Sequence, residues 1–173
     1  MATLRKKHPR ESEAITTQIV LPNDTNVLSN LMGGRLLHWM DITAAIASYR
    51  HCGRVVVTAC VNNVAFTHPI RLGDIVTLHA KISRAFNSSM EIFIDVSVED
   101  KVTGIKTKSN EAIYTFVAVD QLGSPIGVPE IDPETEQEKM RYDGALRRRQ
   151  LSLILAGKMK AEDATELKAL FVK

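Results

Sequence analysis

In the stretch PNDTNVLSNLMGGRLLHWMD, Pro22 to Asp41, an acid, an amide and a double glycine stand close together ahead of an apolar segment. Asp24 could serve as a general base or as a nucleophile toward a carbonyl. Asn26, two residues on, could hold a water or the carbonyl oxygen by its side-chain amide. If a helix begins near Gly34, its first N–H groups lack intrahelical acceptors and, backed by the helix dipole, could hold a developing oxyanion. Gly33 and Gly34 carry no Cβ, so a carbonyl could approach that backbone closely. The same letters also make good turn chemistry: Asp-Thr-Asn favours tight turns, Asn30 could cap a helix, and Gly-Gly can mark a bend.

Other chemistry-bearing residues are weaker candidates. Asp41 falls about two helical turns beyond the glycines, and an acid in so apolar a helix needs a partner or a role. His38, one turn earlier, could pair with it. His51 adjoins Cys52, but no third residue in a base-orienting pattern accompanies them. His68 and His79 read as exposed. The five histidines and two cysteines show no metal-ligand spacing, and no HExxH, Walker A or GxGxxG motif occurs. Metal, nucleotide-hydrolysis and nicotinamide chemistry are therefore unsupported. The basic triplet Arg147–Arg149 reads as the solvated face of a late helix, with phosphate neutralisation as the alternative.

These residues need a scaffold. ITTQIVL (15–21), rich in β-branched residues, predicts a first strand. RLLHWMDITAAIASYRH (35–51) has no Pro or Gly and is apolar around most of its circumference, which predicts a helix wrapped by other elements. Residues 54–66 predict a strand or bent pair. Residues 74–86 and 89–100 alternate with a period of two, which predicts strands with one buried and one wetter face. Residues 110–120 are apolar on both faces and predict a central or interfacial strand. Short turn-like connections imply an antiparallel sheet, so the order predicts an α+β protein of the hotdog architecture, a curled sheet around one long helix. Residues 131–157 resume helical composition, acidic first and basic later, in the order that suits a helix dipole. The division predicted is a loose arm over 1–14, the hotdog domain over 15–130 and a helical extension over 131–173.

Composition narrows the classes. The 173 residues suit one domain, and 45% hydrophobic with 24% charged residues is ordinary for a globular protein. A formal net charge of +2 and 5% aromatic residues make no case for nucleic-acid binding. Two cysteines suggest a reducing compartment. The basic N-terminus lacks an apolar signal region, and no apolar run is long enough to span a bilayer. The expectation is a cytoplasmic protein with no membrane insertion.

The motifs PNDTN, MGGRLLHWMD, ASYRHCGRVVVTACVNNVAFTHPIRLGDIV, NSSMEI and YTFVAVDQLGSPIGVPEIDPETEQEKMRY resemble, in order and spacing, the hotdog acyl-CoA thioesterases of the bacterial YciA type and the cytosolic brain-type acyl-CoA hydrolases. The resemblance runs from about residue 15 to residue 150. It implies hydrolysis of fatty acyl-CoA to free acid and coenzyme A, with the thioester as substrate and no cofactor. It also implies that Asp24 and Asn26 form a catalytic pair across a homodimer interface, with the Gly34 amide polarising the thioester carbonyl. Asp41 is the reserve catalytic acid, since related hotdog enzymes with a different loop use the helix acid. Coenzyme A would contact Gly33, Val57, Thr58, Arg84, Ser88 and Ser89. Bacterial relatives form trimers of dimers, which makes a hexamer an expectation. Departures fall at Ser29, where relatives have Gly, at Met32, and at Phe86–Ser89, where they often carry Gly-Arg-Ser or Gly-Lys-Ser; Arg84 is left as the nearest cation for phosphates. A non-catalytic acyl-CoA-binding protein would share the pocket without turnover. A hotdog dehydratase would need a loop histidine that this chain lacks.

Overall fold

In a computed structural model that describes residues 5–62, 64, 66 and 68–171, five strands form one antiparallel sheet around a long helix. The strands are β1 (Ala14–Ile19), β2 (Val55–Asn62), β3 (Ile75–Ala85), β4 (Ser89–Glu99) and β5 (Lys106–Val119). Their order across the sheet is β1-β3-β4-β5-β2. The helix α1 (Gly33–Cys52) is followed at its C-terminus by Gly53 at φ 62°, whose N–H donates to the Tyr49 carbonyl. Only glycine adopts that left-handed conformation without strain, so the chain can turn there into β2.

The core lies between α1 and the inner face of the sheet. Leu36, Met40, Ala44 and Ala47 form a stripe at helical spacing with at most 1% exposure. They join one cluster with the inward residues Leu78, Ala80 and Ile82 of β3, Ile92 and Ile94 of β4, and Tyr114 and Phe116 of β5. Truncating Met40 to Ala there would cost about 2–5 kcal/mol. The helix is apolar around most of its circumference but is not enclosed all round. Ile42 and Tyr49 are exposed, as are Val55, Val57 and Val61 on the edge strand β2. An apolar flank thus runs beside a strand whose outer edge has no neighbour in the sheet.

The opposite face of the sheet carries the helix α2 (Glu136–Leu155), with the short α3 (Thr165–Lys168) behind it. Thr135 starts α2 with a reciprocal cap: its hydroxyl accepts from the Glu138 amide, and Glu138 accepts from the Thr135 amide. Outward residues of β4 then anchor the helix. Arg141 donates both to Oδ1 and Oδ2 of Asp95, at 2.9 and 2.8 Å, and lies over the Phe93 ring. Arg148 forks onto Glu91 at 3.0 and 2.7 Å.

Three expectations change. The segment read as a loose arm is ordered from residue 5: Lys7 hydrogen-bonds with Glu130 and Asp132, and the buried Ser12 hydroxyl accepts from the Ile82 amide. Polar composition suggested looseness, but these residues bond the polar backbone of the fold itself. Strand β2 ends at Asn62 rather than 66, and β5 begins at Lys106, before the apolar run, because its first residues pair with the end of β4. The basic triplet is not wholly a solvated face, since Arg148 and Arg149 turn onto the sheet. No helix among the described residues is long and apolar enough to cross a membrane.

Candidate active site

The loop before α1 is held by its own polar groups. Pro22–Asp24 forms a single 3-10 turn. Asp24, 9% exposed, accepts from the Leu21 amide through Oδ2 at 3.0 Å and pairs with Arg35 through Oδ1 at 2.9 Å. Its carbonyl accepts from the Met32 amide. Each carboxylate oxygen thus accepts one bond, Oδ2 within the loop and Oδ1 from the first helical turn. The Asp-Thr-Asn turn and Arg35 together complete the turn chemistry that the letters also allowed.

Asn26 is exposed, and its Oδ1 accepts from the Leu28 and Asn30 amides at 2.9 and 3.2 Å. With the oxygen committed, the Nδ2 amino group is the side chain's remaining donor. Ser29, inside this loop, adopts φ 56°, a conformation that favours glycine. Asn26 and Gly33 line a cavity of about 400 Å³ together with Leu31, Leu36 and Phe66.

The helix start supplies the second element. Gly33 and Gly34 open α1, where amides have no intrahelical acceptor. A Cβ built on Gly33 would meet the Phe66 ring at 3.2 Å, whereas one on Gly34 would meet nothing within 4 Å. Gly34 therefore faces open space. It shares a cleft of about 330 Å³ with Leu37, His38, Asp41, Val61 and Tyr114.

Asp41 is brought onto that cleft by helical spacing, since Gly34, His38 and Asp41 follow the i, i+4, i+7 face. Thr58, from the adjacent β2, donates its hydroxyl to Asp41 Oδ1 at 2.7 Å. A bulge between Thr58 and Cys60 interrupts the β2–β5 register there. Such irregularities re-aim side chains along a strand. No described residue bonds Asp41 Oδ2. Tyr114, at the cleft floor, donates to the Leu37 carbonyl. Burial, and then the Asp41 charge, pushes the Tyr114 hydroxyl up to about 12. It stays a neutral donor at ordinary pH.

The structure thus joins Gly34 and Asp41 in one cleft, with Thr58 bonded to Asp41, and puts Asn26 and Gly33 on another. Asp24 belongs to neither. Val57 faces outward on β2, and Arg84, Ser88 and Ser89 lie at the β3–β4 hairpin, on the face of the sheet away from α1. The resemblance implies Thr58 as a coenzyme A contact, and no local pattern pairs it with Asp41, because that contact joins residues 17 apart through a helix-to-strand turn. His38 lines the cleft without a hydrogen bond to Asp41.

Comparison with known proteins agrees with this fold. The thioesterase superfamily profile matches residues 28–105. The uncharacterized acyl-CoA thioester hydrolase YkhA of Bacillus subtilis is 38% identical over 148 residues, covering 86% of each chain. Acyl-coenzyme A thioesterase 11 of Mus musculus is 39% identical, and this chain spans 25% of its length. A hexameric acyl-CoA thioesterase superposes with a TM-score of 0.84 at 34% identity, covering 88% of this chain and 98% of that one. The acyl-CoA hydrolase of Staphylococcus aureus, solved with butyryl coenzyme A, coenzyme A and coenzyme A disulfide, superposes with a TM-score of 0.81 at 35% identity, covering 88% and 95%. That enzyme has also been solved with an asparagine, an aspartate and a threonine each replaced by alanine. The curled sheet, the central helix and these matches together place the chain in the hotdog acyl-CoA thioester hydrolases of the thioesterase superfamily.

Proposed function

We propose that the protein hydrolyses fatty acyl-coenzyme A to the free acid and coenzyme A, with Asp41 as general base, Thr58 as its orienting partner, and the Gly34 amide with an Asn26 side chain as oxyanion donors. The observation that carries this reading is the 2.7 Å bond from the Thr58 hydroxyl to Asp41 Oδ1 beside the open amide of Gly34. That bond fixes the carboxylate and leaves Oδ2 for water. The water loses its proton to Oδ2 as its oxygen attacks the thioester carbonyl. The resulting oxyanion is held by N–H groups that need no reorganisation. Collapse breaks the C–S bond, and protonated Asp41 returns the proton to the departing thiolate. The residue types substituted in the S. aureus enzyme occur in this chain at the same mutual spacing, as Asn26, Asp41 and Thr58. This supports the choice of Asp41 over Asp24.

Asn26 and Asp41 line different clefts of one chain, which calls for a second copy. The exposed edge of β2 and its apolar flank offer the contact, so that a homodimer would bring Asn26 of the partner subunit to the Asp41 cleft. Assembly into a hexamer accords with the hexameric relative. The protein acts in the cytoplasm on this reading, where acyl-CoA is the available thioester. The test is thiol release from acyl-CoAs of graded chain length by the wild type and by Asp41→Asn, with folding followed by circular dichroism. A folded variant should lose about 10²–10⁴ in kcat, the usual contribution of a general base. Turnover within twofold of the wild type would sink the assignment, and absence of turnover by the wild type on every chain length would leave a non-catalytic acyl-CoA-binding protein.

A further inference from the structure

Besides the carboxylate, three proton-bearing side chains stand at the Asp41 cleft, and two of them are committed. The Thr58 hydroxyl donates to Asp41 Oδ1, and the Tyr114 hydroxyl donates to the Leu37 carbonyl at 3.1 Å. Tyr114 also holds its proton too tightly to pass it on, because burial and then the Asp41 charge push its hydroxyl up to about 12. The third is His38. It is exposed, lines the cleft, and has no hydrogen-bond or ion-pair partner among the described residues. Imidazole is the side chain suited to take up and give back a proton near neutral pH.

Helical spacing places His38 between the two groups that the reaction uses. At about 1.5 Å per residue, its Cα lies about 6 Å along the axis from Gly34 and about 4.5 Å from Asp41, all on one face. Helical side chains lean toward the N-terminus, so Asp41 leans over the turn that bears His38. Neighbours three apart have Cβ atoms roughly 5–6 Å from each other, within reach of one rotation of an exposed ring. With the oxyanion at Gly34 and the attacking water at Asp41, the groups left over the middle turn are the acyl carbon and the sulfur. Only the sulfur needs a proton. The Thr58 bond that aims Oδ2 at the water also keeps the carboxylate from following the sulfur as it leaves. A carrier that can turn beside it removes that conflict.

We propose that His38 relays the proton from Asp41 to the departing sulfur, an assignment that rests on the hydrolysis proposed above. Water gives its proton to Asp41 Oδ2 as its oxygen bonds to the carbonyl carbon. Asp41 passes that proton to the unprotonated nitrogen of the neutral His38 ring, which becomes an imidazolium. As the C–S bond breaks, its electron pair goes to sulfur, and the imidazolium protonates the thiolate. Asp41 is left ionised and His38 neutral, so the cycle closes with no added reactant.

The leaving group tests the relay. Acyl-CoA releases a basic alkyl thiolate that gains from protonation. The matching thioester of an aryl thiol, thionitrobenzoate, releases a weakly basic thiolate that leaves unaided. His38→Gln, with folding followed by circular dichroism, should lower kcat/KM on acyl-CoA about 10²-fold, the low end for a positioned acid, and on the aryl thioester by no more than about threefold. Imidazole added to His38→Ala should restore part of the acyl-CoA turnover, and none in Asp41→Asn. Equal losses on both thioesters would make His38 a structural residue, and undiminished turnover of acyl-CoA would remove it from the reaction. Either result overturns the relay and leaves hydrolysis standing. If the wild type accepts acyl-CoA alone, the imidazole experiment decides, and absence of rescue overturns the relay. A wild type that turns over neither thioester overturns the hydrolysis and the relay with it.

Discussion

Arg35 Nε stands 2.9 Å from Asp24 Oδ1, and that pair fastens the loop bearing Asn26 to the helix bearing Gly34 and Asp41. The other carboxylate oxygen is taken by the Leu21 amide. Asp24 is therefore a fastening residue. Asp24→Asn should lower stability by about 1–2 kcal/mol, the worth of one hydrogen bond and one partly exposed ion pair. Arg35→Gln should show a similar drop, and the double variant less than the sum of the two singles. Thermal melting measures this, and strict additivity would show that the pair contributes nothing of its own.

The junction of Glu91 with Arg148 makes a different prediction. Glu91 is 4% exposed and is met by the Arg148 fork and the Ser83 hydroxyl. Arg148→Leu strands that carboxylate and should cost about 3 kcal/mol, more than Arg147→Leu on the same helix. Replacing both partners, Glu91→Leu with Arg148→Leu, should recover much of the loss, because no uncompensated charge remains buried. Denaturant melts on the three variants would measure the cycle.

His51 makes stability depend on pH. The ring is fully buried, Nε2 meets the Pro129 carbonyl at 2.7 Å, and Nδ1 has no partner among the described residues. Burial pushes its proton affinity below the ordinary value of 6.5; the Pro129 bond opposes this, nearby Lys7 adds to it and Glu11 opposes it. The unfolded chain therefore takes up the proton first. Stability should be fully present above pH 6.5 and fall below it, by at most about 1.4 kcal/mol per pH unit. Melting curves from pH 8 to pH 5 should show a smaller acid loss in His51→Gln, and an equal loss would assign the slope to other groups.

Val57, 47% exposed on the edge strand, tests the proposed dimer. A charge there opposes strand pairing between copies. Val57→Lys should shift the light-scattering mass toward the monomer. It should also lower turnover at least tenfold, since loss of the partner's Asn26 removes an oxyanion donor, usually worth about 10²–10³ in kcat. A monomeric variant with wild-type turnover would place the whole site within one chain.

The sequence alone determined the scaffold, because the period-two strands and the largely apolar helix 35–51 allow few arrangements besides a curled sheet around that helix. It also marked Asp24, Asn26 and Gly34, with Asp41 in reserve, as a small set of chemical groups. Only the tertiary structure distinguishes the surroundings of the two acids, on which the proposed choice of Asp41 rests. Asp24 and Asp41 are the same residue type in plausible places, and what separates them is that Arg35 and the Leu21 amide use up one carboxylate while Thr58 orients the other. Those contacts depend on how the loop, helix and edge strand meet, and no local pattern records this. The basic triplet shows the same limit. Composition made Arg147–Arg149 a solvated face, whereas outward residues of β4 and the hairpin turned Arg148 and Arg149 onto the sheet, one to the Glu91 carboxylate and one to the Ser89 hydroxyl. A charge finds its partner in space, so its role is set by the fold that surrounds it.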